Sequence, residues 1–252
     1  AALDTLVWRP RLAEIEGRGC RIEIKEKAKG TGFLVGADKV LTNWHVVNKI
    51  KDQPATCKPS DVVLRFDYKR LEDGTELSMG KEYGLITTGD GWLVDHSPWS
   101  AVDLEAEPKS GDPGPDELDY ALLRVDGTPG DDPQGEKVVS GSPAPPRGYI
   151  PVPDEPHDFG PDTPLFIVLH PQGAPLKLML DTNAVIGLYG ENRRVRYRTN
   201  TDNGSSGSPV FDQNWNLVAL HHSGDPASIL PTYNEGIPIH LIRDKLEAQG
   251  AL

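Results

Sequence analysis

The chain has 252 residues, of which 37% are hydrophobic and 25% are charged, so it can form one large domain or two small units with a sizeable core. Its 26 basic and 38 acidic residues give a formal net charge of −12. That charge argues against a nucleic-acid or anionic-membrane binder, because both need a basic surface. No apolar run approaches the ~20 residues of a transmembrane helix. Two cysteines, Cys20 and Cys57, are too few for a disulfide framework and leave open one bridge or two free thiols.

Short strands dominate the first half of the chain. Alternating apolar and polar residues predict a half-buried strand at 20–25. Phe33–Val35 and Val40–Leu41 flank a turn and predict a hairpin. The apolar residues within 1–18 are compatible with one amphipathic helix, and the acidic, Pro- and Gly-rich segment 95–118 predicts a solvated loop. Further strands are predicted at 62–66, 85–87 and 120–125.

The second half resumes the strand pattern after a stretch that is dense in Pro, Gly and Asp. Alternation within the basic segment 193–198 predicts that most of its arginines lie on one solvated face. Pro238 followed by Ile239, Ile242 and Leu246 predicts a C-terminal helix. Strands are predicted at 165–169, 176–180, 184–188, 195–199, 209–211 and 217–221.

Two clusters of short strands with one terminal helix predict two β-barrels rather than an α/β sheet. We expect one functional unit overall. Its parts are an N-terminal extension (1–18), a first barrel (19–127), a Pro/Gly-rich connection (128–163), a second barrel (164–236) and a C-terminal helix (237–252).

The segment Asn203-Gly204-Ser205-Ser206-Gly207-Ser208-Pro209 indicates chemistry most strongly. Glycines around a serine, directly before an apolar strand, build a tight turn that can expose a hydroxyl and aim backbone N–H groups at one point. Acyl transfer needs both a nucleophile and donors for the oxyanion. A Gly/Ser-rich turn without chemistry is the alternative interpretation of this segment alone.

A serine hydroxyl also needs a base and a group that orients the base. His45 follows a predicted strand in Leu41-Thr42-Asn43-Trp44-His45, and Asp119 lies at the start of the apolar strand 120–125. Each segment alone is a weak indication, since a lone histidine is more often structural. Together, in the order His, Asp, Ser, these segments resemble the trypsin-like serine peptidases of the chymotrypsin fold. Gly30–Val35 resembles the strand that precedes the catalytic histidine in that family.

The resemblance implies an all-β fold of two antiparallel six-stranded β-barrels with the active site in the cleft between them, and a short C-terminal helix. It implies Ser206 as the nucleophile, His45 as the general base and acid, and Asp119 as the orienting carboxylate. The backbone N–H groups of Gly204 and Ser206 would form the oxyanion hole.

Neighbouring residues refine the resemblance. Ser205 and Ser208 compete for the role of nucleophile, but the family pattern Gly-x-Ser-Gly-x-Pro selects Ser206. Ser205 stands where animal trypsins have the Asp that binds a newly cut N-terminus, so trypsin-style activation is not expected. Val46 stands where animal members have a disulfide cysteine. Both departures favour the bacterial branch that includes the glutamyl endopeptidases.

The same resemblance implies cleavage after acidic residues, Glu above all. Thr201 and His221 correspond to the base and wall of the primary pocket of glutamyl endopeptidases, where a hydroxyl and an imidazole bind a carboxylate. We expect His221 to be partly charged at neutral pH; the alternative is that it is an ordinary strand residue. His222, Ser223 and Gly224 correspond to the segment whose backbone pairs with substrate.

Two other functions remain open: an acyl transferase or esterase on the same triad, and a catalytically degenerate peptidase fold that only binds. The expected partners are a polypeptide substrate and a regulatory domain or partner elsewhere in a longer protein. No cofactor, metal, nucleic acid or membrane is expected. The compartment is open, and a domain of a larger cytoplasmic protein is favoured over a mature secreted enzyme.

Overall fold

The described residues 4–70, 75–107, 109–135, 145–198, 204–226 and 232–252 of a computed structural model form two antiparallel β-sheets and four α-helices, joined by turns, loops and short 3-10 helices. Each sheet has seven strands. The prediction of an all-β protein with two antiparallel barrels and a short C-terminal helix is confirmed, but its six strands per barrel are wrong by one in each sheet.

The first sheet has the spatial order β5-β4-β1-β2-β3-β7-β6. Its strands are β1 (Gly19–Ile24), β2 (Lys27–Leu34), β3 (Lys39–Thr42), β4 (Val62–Arg70), β5 (Glu76–Tyr83), β6 (Leu93–Ser97) and β7 (Tyr120–Arg124). The predicted hairpin is confirmed, since Phe33 pairs with Leu41 and Leu34 with Val40.

Strands β5 and β6 are the two edges of the first sheet, and sequence periodicity did not find them. The described side chains of β5 are all exposed or half-buried, so the strand carries no apolar alternation. The strand predicted at 85–87 is wrong, because only Leu85 forms a bridge there, with Val125.

The second sheet has the spatial order β10-β11-β14-β13-β12-β8-β9. Its strands are β8 (Leu165–Leu169), β9 (Lys177–Asp181), β10 (Val185–Tyr189), β11 (Arg194–Tyr197), β12 (Pro209–Phe211), β13 (Leu217–Gly224) and β14 (Asn234–Pro238). Strand β14 was not predicted. It begins with Asn234 and Glu235, two polar residues that are nevertheless buried.

Helices occupy the two ends of the chain and the segment after β3. They are α1 (Thr5–Arg18), α2 (Trp44–Val47), α3 (Lys49–Asp52) and α4 (Ile239–Ala248). Helix α4 buries Ile239, Ile242 and Leu246, as its spacing predicted. None of the helices in the described part of the chain is long and apolar enough to span a membrane.

One apolar cluster joins the two sheets. It includes Phe33 and Leu41 from the first sheet, Phe166 and Leu220 from the second, and Ile242 from α4. Two further clusters each fill a single sheet. Close packing of the shared cluster fixes one sheet against the other and therefore fixes the cleft between them.

Both cysteines are buried free thiols, so the alternative of one disulfide bridge is wrong. They belong to the core of the first sheet. Burial raises the pKa of the Cys20 thiol far above its ordinary value and also raises that of Cys57. Both therefore behave as small apolar core residues.

Candidate active site

His45 and Asp119, the predicted base and its orienting carboxylate, are in direct contact. Asp119 Oδ2 lies 2.6 Å from His45 Nδ1, and Asp119 Oδ1 accepts the His45 backbone N–H at 3.0 Å. The Asp119 side chain is 0% exposed, whereas that of His45 is 35% exposed. Because an ionised carboxylate only accepts, Nδ1 carries the proton and Nε2 of the neutral ring is the acceptor.

Strand pairing places these two residues side by side. Thr42, the last residue of β3, pairs with Ala121 near the start of β7, so the segments beyond them meet at one end of the sheet. Asp119 has a φ of +43°, a left-handed value that Asp tolerates better than most residues. Its carbonyl accepts from Asn43 Nδ2 at 2.9 Å, which holds the two segments together.

The turn before β12 presents a single serine at the surface. Gly204 and Gly207 have φ values of +94° and +86°, which glycine adopts without strain. Ser205 and Ser208 are buried, and Ser208 Oγ donates to the Ser205 carbonyl at 2.5 Å. Ser206 is half-buried. The turn therefore offers Ser206, rather than its neighbours, to the cleft.

Strand β2 of the first sheet holds this turn. The Thr31 N–H donates to the Ser206 carbonyl at 2.8 Å, and Thr31 Oγ1 donates to the Gly204 carbonyl at 3.2 Å. No hydrogen bond joins the Ser206 hydroxyl to His45 among the residues that the structure describes. In substrate-free peptidases this contact is often long and tightens only when substrate binds.

The N–H groups of Gly204 and Ser206, the two predicted oxyanion donors, make no backbone hydrogen bond within the described part of the chain. In contrast, the Gly207 N–H donates to the His221 carbonyl at 2.9 Å, and the Ser208 N–H donates to Ser205 at 3.1 Å. Such unused N–H groups are what an oxyanion hole requires.

A second histidine contacts the same carboxylate. His222 Nδ1 lies 2.7 Å from Asp119 Oδ2, and the His222 side chain is only 3% exposed. Burial alone would raise the pKa of Asp119, but hydrogen bonds from His222 and His45 hold it at about 2. The sequence assigned to His222 only a backbone role, and nothing in its local pattern indicates the contact with Asp119.

The other side of His222 faces Asp103. His222 Nε2 is 3.4 Å from Asp103 Oδ2, too long and poorly aligned for a good hydrogen bond, so this contact is an ion pair. Arg194 binds Asp103 with two parallel hydrogen bonds, of 3.0 Å from Nε and 2.8 Å from Nη2. His222 and Arg194 hold the pKa of Asp103 well below its usual value despite its burial.

This network corrects the prediction that most arginines of segment 193–198 lie on a solvated face. Arg194 and Arg196 are buried rather than solvated, because the acidic loop expected to be a solvated segment covers them. Arg196 pairs with buried Glu235 at 2.8 Å. The opposite charges of segments 103–107 and 193–198 were the available sequence evidence for this contact.

Of the predicted specificity pocket, Thr201 lies outside the described residues, and His221 is buried in β13. Tyr197 Oη lies 2.6 Å from His221 Nδ1, a contact that the sequence did not predict. Burial, with the charges of His222 and His45, lowers the pKa of His221 to about 3. The expectation of a partly charged His221 at neutral pH is therefore wrong for the free protein.

The predicted substrate-pairing segment forms the end of β13. Ser223 and Gly224 are half-buried and pair with Glu235 and Asn234 of β14. The register shifts between His221 and Ser223, and this irregularity turns the His222 side chain inward to Asp119.

Two sets of side chains in the described residues bring three possible metal ligands within 4.8 Å: His45, Asp119 and His222, and Asp103, His222 and Glu235. Both sets belong to the network just described. Asp119 accepts from two imidazoles and Asp103 accepts from Arg194, so hydrogen bonds account for the clustering without a metal.

Comparison with a protein-family profile matches residues 30–220 to the description "Trypsin-like peptidase domain". This span includes all three predicted triad residues.

Solved structures of low identity share the fold. The active form of the Rv3671c protease from M. tuberculosis is 18% identical, with a TM-score of 0.58 over 100% of this chain and 89% of that one. A serine endoprotease from Yersinia pestis is 12% identical, with a TM-score of 0.58 over 96% of this chain and 66% of that one. At these identities, the similarity shows a shared double-barrel fold and nothing more.

A protein of Sinorhizobium fredii designated y4fB, described as uncharacterized, is 26% identical over 211 residues. The match covers 78% of this chain but only 25% of y4fB, so the chain spans about a quarter of the length of this curated relative.

Proposed function

The chain belongs to the trypsin-like peptidase domain family and is by class a serine endopeptidase, and we propose that it hydrolyses peptide bonds through Ser206, His45 and Asp119. The observation that carries the proposal is the His45–Asp119 pair at 2.6 Å, at one end of the sheet whose β2 holds the Ser206 turn. A buried carboxylate against Nδ1 of an exposed imidazole is the arrangement that a serine nucleophile needs.

In this mechanism Ser206 Oγ attacks the carbonyl carbon of the scissile bond while His45 Nε2 takes the hydroxyl proton. The N–H groups of Gly204 and Ser206 bind the oxygen that becomes negative in the tetrahedral intermediate. His45 then gives its proton to the leaving amine, and an acyl-enzyme remains. Water, deprotonated by His45, releases the acid product and restores Ser206.

Labelling with a fluorophosphonate probe, followed by peptide turnover, tests the triad. Ser206→Ala should abolish labelling and reduce kcat by about 10⁶, because the nucleophile is gone. Ser208→Ala is the matched control and should still be labelled, since its hydroxyl is buried and already donates to Ser205. Loss of labelling only in Ser208→Ala would overturn the assignment. Ester turnover without peptide turnover would instead favour an esterase or acyl transferase.

For the primary pocket we propose recognition of Glu, as in the glutamyl endopeptidases that the sequence resembles. Tyr197 supports this role for His221: when its hydroxyl donates to Nδ1, the neutral ring carries its proton on Nε2. The substrate carboxylate would accept from that N–H and from the Thr201 hydroxyl. Since the ring is neutral in the free protein, recognition rests on hydrogen bonds rather than on a fixed charge.

Values of kcat/KM on matched peptides with Glu, Gln, Leu or Arg before the scissile bond test the pocket. His221→Ala should reduce the Glu-over-Gln ratio by about 30-fold, equivalent to ~2 kcal/mol, because the carboxylate loses a donor. Tyr197→Phe, which keeps the imidazole but frees its tautomer, should reduce the ratio less. A preference for Leu or Arg would rule out the pocket while leaving the triad untouched.

A further inference from the structure

The His222 side chain lies between two carboxylates. Its Nδ1 is 2.7 Å from Asp119 Oδ2 and its Nε2 is 3.4 Å from Asp103 Oδ2, and all three side chains are buried. Arg194 binds both oxygens of Asp103, and the Ser100 N–H donates to Oδ2 at 3.1 Å, so Asp103 is held as an anion.

The geometry decides the protonation of His222. An ionised carboxylate only accepts hydrogen bonds, and a neutral imidazole has one N–H and one lone pair. A neutral His222 would therefore turn a lone pair toward either Asp119 or Asp103, at a buried site whose low dielectric screens the repulsion little. Only the imidazolium presents an N–H to both.

We propose that His222 is a positioning residue for the triad: held as an imidazolium between Asp119 and Asp103, it fixes the Asp119 carboxylate and offsets its charge beneath His45. This inference rests on the proposed function. Asp119 Oδ2 is shared by the two Nδ1 atoms, so His222 fixes the oxygen that orients the base.

The positive ring of His222 also acts on His45 through space. The two ring centroids are 6.4 Å apart, and a charge at that distance opposes a second charge on His45. His222 therefore contributes a positive charge behind the proposed base, in addition to its hydrogen bond to Asp119.

Several charged or titratable groups surround His222. They are Asp119, Asp103, His45, His221, Arg194 and Glu235. Burial by itself would lower the pKa of His222, but Asp103 and Asp119 raise it to about 9, against the smaller opposing effect of Arg194. The two carboxylates therefore outweigh burial and Arg194, and the His222 ring is charged at neutral pH.

The pH profile of kcat/KM separates this role from a merely structural one. In His222→Asn the amide can still donate to Asp119, but the charge is gone. The acidic limb of the kcat/KM profile should move to higher pH, because the positive charge 6.4 Å from the His45 ring is gone. His222→Ala should show the same shift and also lose about 10- to 100-fold in kcat, since the hydrogen bond to Asp119 is lost. A folded His222→Asn enzyme whose acid limb has not moved overturns the proposal.

A second measurement needs neither activity nor a variant at His222. In the Ser206→Ala protein with ¹⁵N-labelled histidine, both ring nitrogens of His222 should show the shifts of protonated imidazolium at pH 7 and titrate only near pH 9. A neutral His222 ring at pH 7 overturns the proposal even if the enzyme is a peptidase. Conversely, failure of the wild type to cleave peptides would contradict the proposed function while this spectrum still reports on the ring.

Discussion

The backbone N–H of Thr31 donates a 2.8 Å hydrogen bond to the carbonyl of Ser206. Thr31 lies in β2 of the first sheet and Ser206 in the turn before β12 of the second, so this bond ties the proposed nucleophile to the sheet whose β3 leads into His45. Thr42 Oγ1 in turn donates to the Thr31 carbonyl at 2.7 Å. The proposed active site therefore forms only when both sheets are folded and packed against each other.

Gly207→Ala should inactivate the enzyme and destabilise it by more than ~2 kcal/mol. The residue has a φ of +86°, and an added Cβ would lie 2.1 Å from the Thr31 carbonyl and 2.3 Å from Thr42 Oγ1. Strained backbone and a clash with fixed atoms both contribute. Urea unfolding and fluorophosphonate labelling measure the two effects.

Gly127→Ala is the control, because Gly127 has a similar φ of +100° but nothing within 4 Å of an added Cβ. It should lose only about 1 kcal/mol from backbone strain and keep full activity. Equal effects at the two positions would mean that the close approach to β2 is unimportant.

Asp119→Asn should reduce kcat by about 10⁴, because His45 is no longer held with its proton on Nδ1. The amide would also turn a donor toward one of two imidazole N–H groups. Steady-state kinetics on a peptide substrate at neutral pH checks this result.

Asp95→Asn serves as the comparison for Asp119→Asn, since the Asp95 carboxylate accepts from Tyr120 Oη at 2.5 Å and forms no hydrogen bond with His45 or Asp119. Its kcat should stay within about threefold of wild type, because the amide oxygen can still accept. If both variants were equally impaired, Asp119 would have no special part in the reaction.

Arg194→Met should reduce the free energy of unfolding by about 3–5 kcal/mol, because the buried carboxylate of Asp103 loses the two charge-assisted hydrogen bonds that Arg194 supplies. The Arg194 side chain is 2% exposed and that of Asp103 is 3% exposed. Arg198→Met is the matched variant on the same segment. Its side chain is 50% exposed and faces exposed Asp162, so we expect a loss of about 0–1 kcal/mol. Similar losses in urea unfolding would contradict the buried network.

Stability should be greatest near pH ~6.5, the pKa of an unperturbed histidine. Burial lowers the pKa values of His170 and His221 in the folded protein to about 4 and about 3. Below pH ~6.5, these two histidines therefore bind protons in the unfolded chain but remain neutral in the folded protein. The free energy of unfolding should therefore fall as the pH drops toward 4. Above pH ~6.5, unfolded His222 loses a proton that the folded protein keeps up to about pH 9, so stability falls again.

Urea unfolding between pH ~4.5 and ~9 tests both limbs, with a slope of up to about 1.4 kcal/mol per pH unit for each group. In His222→Asn, the free energy of unfolding should fall less between neutral pH and pH ~9, while its fall below neutral pH should be unchanged. A wild-type stability that rises steadily from neutral pH to pH ~9 would contradict a charged, buried His222.

Local sequence determined the elements in which one face is apolar. Cys20, Ile22 and Ile24 alternate and are buried in β1, and the i, i+3, i+7 spacing of Ile239, Ile242 and Leu246 matches the buried face of α4. Such patterns can be recognised in the sequence because the buried side chains of a helix or strand recur with the period of that element. The three segments that carry His45, Asp119 and Ser206 could be predicted for a different reason. Each combines a reactive side chain with a strand or turn that positions it.

Only the tertiary structure decided which charged residues are buried. Asp103 and Arg194 are 91 positions apart, and Asp119 and His222 are 103 apart, so no local period relates them. A charged side chain leaves water only where a distant partner compensates its desolvation. Arg194 therefore looks like a solvated residue until the acidic loop is placed over β11. For the same reason β14, with buried Glu235 near its start, and the inward turn of His222 appear only once the two sheets are assembled.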